Sequence, residues 1–562
     1  MADQNTYDAI VVGSGISGGW AAKELCEKGL KTLVLERGKK LDHVTDYTTA
    51  NTPPWDFDHR GRATEEDKED YYIQSTVYAF NEGTRHLWVK DKEHPYTSAS
   101  DGPEYRWIRG YHVGGRSIMW GRQCYRWSNL DFEANAKDGI AVDWPVRYEE
   151  IAPWYSYVER FVGISGQKEG IPQLPDGEFL PPMEMSCIEK HVKGAIESKW
   201  PERRMTIGRV ANLTQNHNGR AECQRRNLCY RGCPFGAYFA SQSSTLPAAA
   251  ATGNMTLLTH SVVESVLYDN ETDRATGVRV IDAVTGESRE YFAKIIFLNA
   301  STLNSAWLLL NSANDRFPNG LANSSGAVGR YLMDHTYRAG AGAVFEGYED
   351  QYYFGGRPNG IYIPRFRNVT DKHPDFIRGY GYQGGGSRMG WSRGGGQAGF
   401  GEDFKEELTH PGPWTMRLGG FGEVLPYEDN YIELNHDKKD VNGLPTLTIH
   451  CTHRENERIM REDYKNQAAE MLEAAGGKDV SIYDGTDYPG FGIHEMGTAR
   501  MGNDPKTSVV NKWNQCHDVP NLFITDGSFM ASAGCVNPSI TYMAFTARAV
   551  DHVVKELNRR NL

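Results

Sequence analysis

The chain has 562 residues, which is long enough for two or more domains rather than one simple core. Its 39% hydrophobic and 24% charged residues are those of an ordinary globular protein. A formal net charge of −12, without any basic run or stripe, argues against a nucleic-acid partner, which usually requires a basic face.

The N-terminus runs directly into a strand pattern. Residues 1–7 contain no basic segment, no apolar stretch and no twin arginine, so we expect no export signal there. No run of 18 or more apolar residues predicts a membrane span. Taken alone, these features favour a cytoplasmic protein. The nine cysteines are an odd number, which does not suggest a disulfide framework.

A βαβ unit opens the chain. The apolar runs 7–12 and 31–36 are typical of buried parallel strands, and residues 20–26 between them predict a helix that Gly29 ends. A crossover of this length suits two parallel strands of one sheet.

The motif Gly13-x-Gly15-x-x-Gly18 joins the first strand to the helix. In a dinucleotide-binding turn, the first glycine allows the tight turn, the second lets the backbone approach the pyrophosphate, and the third permits close helix–sheet packing. Glu36 ends the second strand, where a carboxylate can accept hydrogen bonds from ribose hydroxyls. A glycine turn that binds nothing is the alternative, and the motif does not distinguish FAD from NAD.

The middle of the chain changes character. Residues 40–100 are polar and weakly periodic, which predicts a surface excursion, and a second glycine segment follows at 113–121. Strands and one helix are predicted at 256–259, 275–280, 294–298 and 303–311. Residues 340–460 alternate and are rich in glycine and tyrosine, which predicts a mostly antiparallel second domain.

The last 80 residues return to the opening pattern, with a strand at 522–525 and a helix at 539–553. The two ends of the chain are therefore expected to share one domain. The predicted fold is a discontinuous α/β Rossmann-like domain plus an α+β substrate domain with a mostly antiparallel sheet. We assign residues 1–50, 100–130, 215–335 and 480–562 to the first domain and residues 131–214 and 336–479 to the second.

The C-terminal motifs are the most informative part of the sequence. They are HEMGTARMG at 494–502, ITDGS at 524–528 and CVNPSIT at 535–541. Together with the N-terminal glycine motif, the segment 110–121, residues 299–305 and residues 329–335, they resemble the glucose–methanol–choline (GMC) oxidoreductases over nearly the whole length.

In that family, the first histidine of the H-x-x-G-T-x-R-M-G motif faces the flavin and acts as a base. Its histidine or asparagine partner follows 43 residues later, which is the spacing of His494 and Asn537 here. The resemblance therefore implies that His494 is the base and Asn537 its partner. A histidine titrating near neutrality suits removal of a hydroxyl proton while hydride leaves the carbon. The remaining candidates, interpreted as ordinary structural histidines, are His112, His260, His335, His450 and His517.

The resemblance also implies FAD as the cofactor, with Asp526 near the diphosphate and the residues after Asn537 closing over the ring. The expected cofactor-binding residues are Gly13, Gly15, Ser17, Gly18, Glu36, Arg37, Gly114, Gly115, Ser117, Trp120, Val263, Asp526, Gly527, Asn537, Pro538 and Thr541. Some relatives attach FAD covalently through a histidine, but Met119 occupies that place here, so non-covalent FAD is expected.

Three cysteines, Cys223, Cys229 and Cys233, lie within eleven residues. Three thiolates at this spacing can bind a soft metal centre. The alternatives are a zinc knot without its fourth ligand, a disulfide with a spare thiol, and three buried thiols. The stretch is similar to that of bacterial sugar-dehydrogenase flavoprotein subunits, including glucoside 3-dehydrogenases, which carry a [3Fe–4S] cluster on three cysteines. The resemblance implies a dehydrogenase that feeds a cytochrome or quinone.

Those relatives work with a small subunit that carries the export signal and with a c-type cytochrome. The resemblance therefore implies a periplasmic complex exported with its partner, and a cytoplasmic enzyme remains the alternative.

The glycine- and aromatic-rich second domain predicts a sugar site, because flat rings stack on the apolar faces of sugars. The candidate substrate residues are Tyr380, Tyr382, Gln383, Trp391 and Glu423, together with His494 and Asn537. The resemblance favours oxidation at C3 of a glucoside. Oxidation of glucose at C1 or fructose at C5, an oxidase that uses O₂, and a flavin-bearing carbohydrate-binding protein without turnover remain open.

Overall fold

The computed structural model describes residues 5–99, 102–353 and 355–562. Within these residues, the strands form two seven-stranded sheets and two small sheets. Each large sheet has its own hydrophobic core.

The first large sheet is largely parallel. Its neighbouring strands are, in order, Met255–Leu258, Thr32–Leu35, Thr6–Val12, Ser288–Leu298, Arg274–Asp282 and Ser261–Asp269, and Leu522–Ile524 also pairs with Ser288–Leu298. The two pairs that involve Arg274–Asp282 are antiparallel and the other four are parallel. Every residue of Thr32–Leu35 is buried, which explains its continuous apolar run.

The second large sheet is antiparallel. Its strands are, in order, Lys478–Asp484, Ala339–Phe345, Trp414–Glu423, Tyr380–Arg388, Ile361–Ile363 and Thr206–Ile207, and His335–Thr336 also pairs with Trp414–Glu423. Successive side chains of a strand point to opposite faces. Met416 and Leu418 accordingly lie in the second core, whereas Arg417 and Gly419 line the main cavity of the protein.

The small sheets contain Thr97–Ser98, Tyr431–Lys439 and Pro445–His450 in one, and Ile164–Ser165 and Phe179–Leu180 in the other. The α-helices are Ile16–Glu27, Glu65–Asp70, Asn129–Phe132, Ala134–Asp138, Tyr148–Val162, Cys187–Lys199, Thr245–Ala251, Thr302–Asn311, Gly401–Thr409, Glu455–Ala474 and Ser539–Asn558. Helix Ile16–Glu27 packs against Ser539–Asn558, so the two ends of the chain meet. Among the described residues, no helix is both long and apolar enough to cross a membrane.

The predicted fold class is confirmed, with a largely parallel sheet that includes strands from both ends of the chain and an antiparallel second sheet. Helix Glu455–Ala474, which covers the second sheet, was not predicted from the sequence. Its signal was present in buried residues at helical spacing, such as Met460, Tyr464 and Ala468. The domain boundaries stay a prediction, although strand Lys478–Asp484 crosses the one placed at 480 and pairs within the second sheet.

Candidate active site

A cavity of about 560 Å³ is lined by residues of both large sheets. The first glycine turn and the end of strand Thr32–Leu35 line one part of it. Gln383, Arg417, Phe421 and Tyr483 of the second sheet line the other part. An extended ligand can therefore contact both halves of the protein.

The three motif glycines have different structural roles. Gly13 has φ +97°, and a Cβ there would lie 2.4 Å from the Asn299 carbonyl oxygen. A Cβ on Gly18 would lie 1.9 Å from the Gly13 carbonyl oxygen. Gly15 is different, because a Cβ there would meet nothing within 4 Å. The protein itself requires Gly13 and Gly18, whereas the space beside Gly15 is open to a ligand at the helix N-terminus.

Glu36 lies at the end of the second strand and lines the cavity. Its carboxylate accepts hydrogen bonds from the backbone N–H groups of Gly38 (2.8 Å) and Ser14 (3.3 Å). Burial raises the pKa of Glu36. Beside it, the Arg37 guanidinium lies 4.0 Å from the ring centroid of Tyr111. A carboxyl and a cation here suit the ribose end of a dinucleotide.

The second glycine segment contacts the first. The Gly114 N–H donates to Ser14 Oγ at 3.0 Å, and an ideal Cβ on Gly115 would lie 3.4 Å from Gly15 Cα. Asp526 approaches the same region after strand Leu522–Ile524, where its carboxyl accepts from the backbone N–H of Ser528 at 3.0 Å. Burial raises the pKa of Asp526.

Two polar groups of the cavity wall are free to form hydrogen bonds with a ligand. Asn299 Oδ1 and the Tyr542 hydroxyl are buried and have no hydrogen-bond partner among the described residues. Buried polar atoms normally find a partner. Together with the open space at Gly15 and the carboxyl of Glu36, they fit an FAD molecule.

His494 and Asn537 meet in the wall of this cavity. Asn537 Nδ2 donates to His494 Nε2 at 3.0 Å, and Gln383 Nε2 donates to Asn537 Oδ1 at 2.5 Å. Burial, followed by the nearby His335 and Arg116, lowers the pKa of His494 well below its usual value. The imidazole is therefore neutral at physiological pH and can accept a proton.

The second ring nitrogen of His494 contacts another histidine. His494 Nδ1 lies 2.9 Å from Nδ1 of His335, whose Nε2 donates to the Gly534 carbonyl at 2.8 Å. Burial lowers the pKa of His335 to about 4. Asp334 accepts from the backbone N–H of His494 at 2.9 Å, and burial raises its pKa to about 7. The interpretation of His335 as an ordinary structural histidine misses this contact.

Arg116 and Glu495 form a two-point ion pair in the wall of the cavity, with N–O distances of 3.1 and 2.7 Å. Glu495 follows His494 directly in the chain, so the pair ties the catalytic motif to the second glycine segment. Sequence reasoning missed Arg116, Glu495 and Tyr542 because spacing alone does not reveal which side chains of distant segments pair.

Most predicted site residues line this cavity: Gly13, Gly15, Ser17, Glu36, Arg37, Gly115, Ser117, Trp120, Val263, Gln383, His494, Asp526, Gly527, Asn537 and Pro538. Met119, the residue at the place of covalent attachment in some relatives, also lines it. Gly18, Gly114 and Thr541 lie outside the lining. Gly18 and Gly114 act through the backbone, and Thr541 Oγ1 instead contacts the Tyr155 hydroxyl at 2.7 Å.

Four of the five predicted sugar contacts in the second domain lie away from the cavity. Glu423 is 1% exposed and pairs with Arg378 at 3.0 Å, behind the cavity wall. Tyr380 and Tyr382 point into the second core, and Trp391 is 78% exposed on the surface. The structure therefore brings only Gln383 of these five to His494 and Asn537. Alternation along a strand places Tyr380 and Tyr382 on the face opposite Gln383, but it does not say which of the two faces lines the cavity.

Cys223, Cys229 and Cys233 line a second, small cavity. All nine cysteines lie in described residues, and Cys223, Cys229 and Cys233 are free thiols. Among the described residues, the only group of three His, Cys, Asp or Glu ligand atoms within 4.8 Å of one another is Asp334, His335 and His494. Thiolates that share one zinc ion at ~2.3 Å lie within roughly 4 Å of each other, so the cysteines do not form a zinc knot as placed.

The fold, the dinucleotide cavity and the paired imidazole and carboxamide define a flavin oxidoreductase that acts on alcohol groups. Comparisons with known proteins agree. Family models described as GMC oxidoreductase match residues 7–337 and 426–546. The chain therefore belongs to the GMC oxidoreductase family, whose members bind FAD, and it is an oxidoreductase acting on CH–OH groups.

Two relatives and one solved structure illustrate the range of this similarity. 2-Methyl-1,2-propanediol dehydrogenase of Mycolicibacterium austroafricanum is 32% identical, over 99% of this chain and 96% of that protein. The fructose dehydrogenase large subunit of Gluconobacter japonicus is 27% identical over 98% of both chains. The structure of pyridoxine 4-oxidase from Mesorbium loti shares the fold, with a TM-score of 0.59, 16% identity, and coverage of 97% of this chain and 98% of that one.

Proposed function

We propose that the protein is a sugar dehydrogenase that oxidises a secondary hydroxyl of a glucoside or related sugar, at C3, to a ketone. The observation that carries this proposal is the 3.0 Å contact between His494 Nε2 and Asn537 Nδ2 in the wall of the shared cavity. An imidazole and a carboxamide there can hold one hydroxyl between an acceptor and a donor.

FAD, when bound, supplies the hydride acceptor. His494 Nε2 takes the hydroxyl proton, and its depressed pKa keeps the lone pair available at neutral pH. Asn537 Nδ2 donates to the substrate oxygen, and Gln383 holds the Asn537 carboxamide in the required orientation. The residues of this chain thus orient the alcohol and remove its hydroxyl proton, and FAD, where bound, would accept the hydride whose loss leaves a carbonyl group.

The substrate side of the cavity supports a sugar. Phe421 and Phe491 line it, as do Tyr337 and Tyr483. Aromatic rings pack on the apolar faces of a pyranose, and Gln383 offers hydrogen bonds to its hydroxyls. Sugar-acting relatives, among them the fructose dehydrogenase large subunit, agree with this class of substrate.

We further propose that Cys223, Cys229 and Cys233 hold a [3Fe–4S] cluster, which would supply an outlet for single electrons. Two observations support this proposal. The three cysteines line one small cavity, and none of them is in a disulfide. Residues 223–238 also contact the second glycine segment, because the Tyr238 hydroxyl lies 2.6 Å from the Ile118 carbonyl and 3.0 Å from that of Cys229. Burial raises the pKa of the Cys223 and Cys233 thiols, so metal binding would have to offset the cost of their ionisation.

The electron acceptor in this proposal is a c-type cytochrome or a quinone, and a small subunit carries the export signal for a periplasmic complex. A cytoplasmic enzyme is the alternative. The fructose dehydrogenase relative is a large subunit, which supports a multi-subunit assembly.

Anaerobic titration tests the function. Purified protein is analysed for FAD and iron, then mixed with methyl glucosides, glucose, fructose and 1,2-diols, and the product of whichever compound bleaches the flavin is identified. We expect bleaching by a glucoside, with a 3-keto product and about three irons per chain. Bleaching by none of the sugars would refute sugar oxidation, and rapid hydrogen peroxide formation in air without iron would indicate an oxidase.

A second candidate function is oxidation of small 1,2-diols. The 32% identity to a 2-methyl-1,2-propanediol dehydrogenase over 99% of the chain favours it. Bleaching by diols but not by glucosides in the same titration would select this candidate.

The cluster is tested by Cys229→Ser. We expect loss of iron and of electron transfer to a cytochrome, with flavin reduction by sugar unchanged. Cys187→Ser is the matched control, because Cys187 is also half-buried but lies outside the small cavity. Normal iron content in Cys229→Ser would contradict the assignment.

A further inference from the structure

We infer that His335 is a positioning residue that fixes which nitrogen of His494 carries hydrogen, an inference that rests on the proposed role of His494 as base. His335 lies in the short strand His335–Thr336, far in sequence from both motif residues. Its ring joins His494 to the loop that carries Asn537.

The direction of the hydrogen bonds follows from the chemistry of their ends. His335 Nε2 lies 2.8 Å from the Gly534 carbonyl, which can only accept, so this nitrogen carries a hydrogen. A neutral imidazole has one N–H, so Nδ1 of His335 presents a lone pair. His494 Nδ1, 2.9 Å away, must therefore donate. His494 Nε2 is left with its lone pair facing the Asn537 amide and the cavity.

Burial keeps His335 in the neutral form that this network needs. It is 1% exposed, and burial lowers its pKa to about 4. The charged groups around the two rings are Asp334, Glu495 and Arg116. Glu495 is paired with Arg116, and Asp334 accepts from backbone N–H groups, so neither carboxylate takes the hydrogen of His494 Nδ1.

The backbone holds the same arrangement in place. The two Asp334 oxygens accept from the N–H groups of Gly492 and His494, both at 2.9 Å, and His335 pairs with Glu423 across the sheet. Asp334, His335 and His494 also bring possible metal-ligand atoms within 4.8 Å of one another. Each of these atoms already has a hydrogen-bond partner, so we interpret the group as a hydrogen-bonded network.

The consequence is a base with one defined tautomer. The other tautomer would place a hydrogen on Nε2, where the substrate proton must arrive. Removing the group that sets the tautomer of a catalytic imidazole can cost up to about 10⁴-fold in rate.

The first test compares His335→Leu with His335→Asn by anaerobic stopped-flow reduction of the bound flavin. His335→Leu removes the acceptor, and we expect the limiting rate of reduction to fall roughly 10²-fold, with FAD content and the substrate dissociation constant unchanged within about twofold. The carboxamide oxygen of His335→Asn can accept from His494 Nδ1. The limiting rate of His335→Asn should therefore be at least about tenfold higher than that of His335→Leu. A wild-type rate in His335→Leu would overturn the proposal.

The second test observes the tautomer directly. ¹⁵N NMR of histidine-labelled holoenzyme, with His494→Ala to identify the signals, should show His494 in the Nδ1–H form between about pH 6 and pH 8. His335→Leu should show a mixture of the two forms, whereas an Nε2–H form in the wild type would overturn the inference. If His494→Ala reduces its flavin normally, the base assignment fails. If it is inactive while His335→Leu is normal, only the positioning role fails.

Discussion

The two ends of the cavity are built in different ways. The cofactor end consists mainly of backbone, with glycine turns at Gly13 and Gly115 and one buried carboxyl at Glu36. The substrate end consists of side chains on an antiparallel sheet, such as Gln383 and Phe421, brought to His494 by strand pairing. Backbone geometry leaves a motif in the sequence, whereas a side-chain surface leaves almost none.

His494 and Asn537 lie where the two ends meet, and they depend on both. Asn537 is held by Gln383 of the second sheet, and Glu495 beside His494 pairs with Arg116 of the second glycine segment. A change at the cofactor end is therefore expected to alter cofactor binding, whereas a change at the substrate end is expected to alter substrate turnover.

The largest effect is expected where the ends meet. His494→Ala should retain FAD but reduce it with sugar ~10²–10⁴-fold more slowly, because a general base contributes about this factor. The measurement is anaerobic flavin reduction at saturating sugar. The control is His517→Ala, which changes a histidine that does not line the cavity. A loss of FAD together with the rate would assign His494 to the cofactor end instead.

Glu423→Ala tests whether Glu423 belongs to the substrate end or only stabilises the fold. Glu423 is paired with Arg378, and both side chains are 1% exposed, so its removal should lower the free energy of unfolding by about 3 kcal/mol. The KM for sugar should not change. Denaturant unfolding measures the first quantity and steady-state kinetics the second. Glu433→Ala, in a more exposed pair with His450, should cost less than about 1 kcal/mol. A raised KM in a stable Glu423→Ala protein would show that Glu423 contributes to the substrate site after all.

Gly15→Ala tests the cofactor end alone. A Cβ at Gly15 meets no protein atom within 4 Å, and its φ of −65° suits alanine, so the apoprotein should keep its stability within about 0.5 kcal/mol. FAD should bind roughly tenfold more weakly, because the added methyl group would occupy space that this glycine turn leaves for the diphosphate of bound FAD. Fluorescence titration of apoprotein with FAD measures this. Gly194→Ala, at an exposed site in helix Cys187–Lys199, should stabilise the protein by ~0.5–1 kcal/mol and leave FAD binding unchanged.

Gln383→Ala, a change at the substrate end, should have a smaller effect on turnover than His494→Ala. Loss of its hydrogen bond to Asn537 should lower kcat/KM by roughly tenfold, in line with ~1–1.5 kcal/mol for one hydrogen bond. FAD affinity should not change. Tyr382→Phe is the matched control, since its hydroxyl donates to the Tyr464 carbonyl in the second core and should affect stability only. Equal losses of kcat/KM in both variants would show that Gln383 affects turnover through the packing of the second sheet and not through its hydrogen bond to Asn537.

The smallest effect is the pH dependence near neutrality. The base must be neutral, and burial holds the pKa of His494 well below the ordinary value of about 6.5. The rate of flavin reduction should therefore change less than about twofold between pH 7.5 and pH 6 and fall only at lower pH. A tenfold loss per pH unit already below pH 7 would mean that His494 titrates normally.

The cofactor end could be predicted from the sequence because each glycine and Glu36 occupies a fixed position relative to a strand or a helix. The pairing of His494 with Asn537 followed from family spacing. His335 could not be recognised, because its role depends on the pairing of His335 with Glu423 and on the carbonyl of Gly534. Tyr380 and Tyr382 were misplaced for the same reason, since the fold places helix Glu455–Ala474 against the face they occupy.

The account is tested most directly by a crystal structure of the holoenzyme with a glucoside bound under reducing, anaerobic conditions. One sugar hydroxyl should contact both His494 Nε2 and Asn537 Nδ2, with the flavin ring over the carbon that bears it and the diphosphate beside Gly15. A flavin ring distant from His494, or a sugar that contacts neither of these two groups, would contradict it.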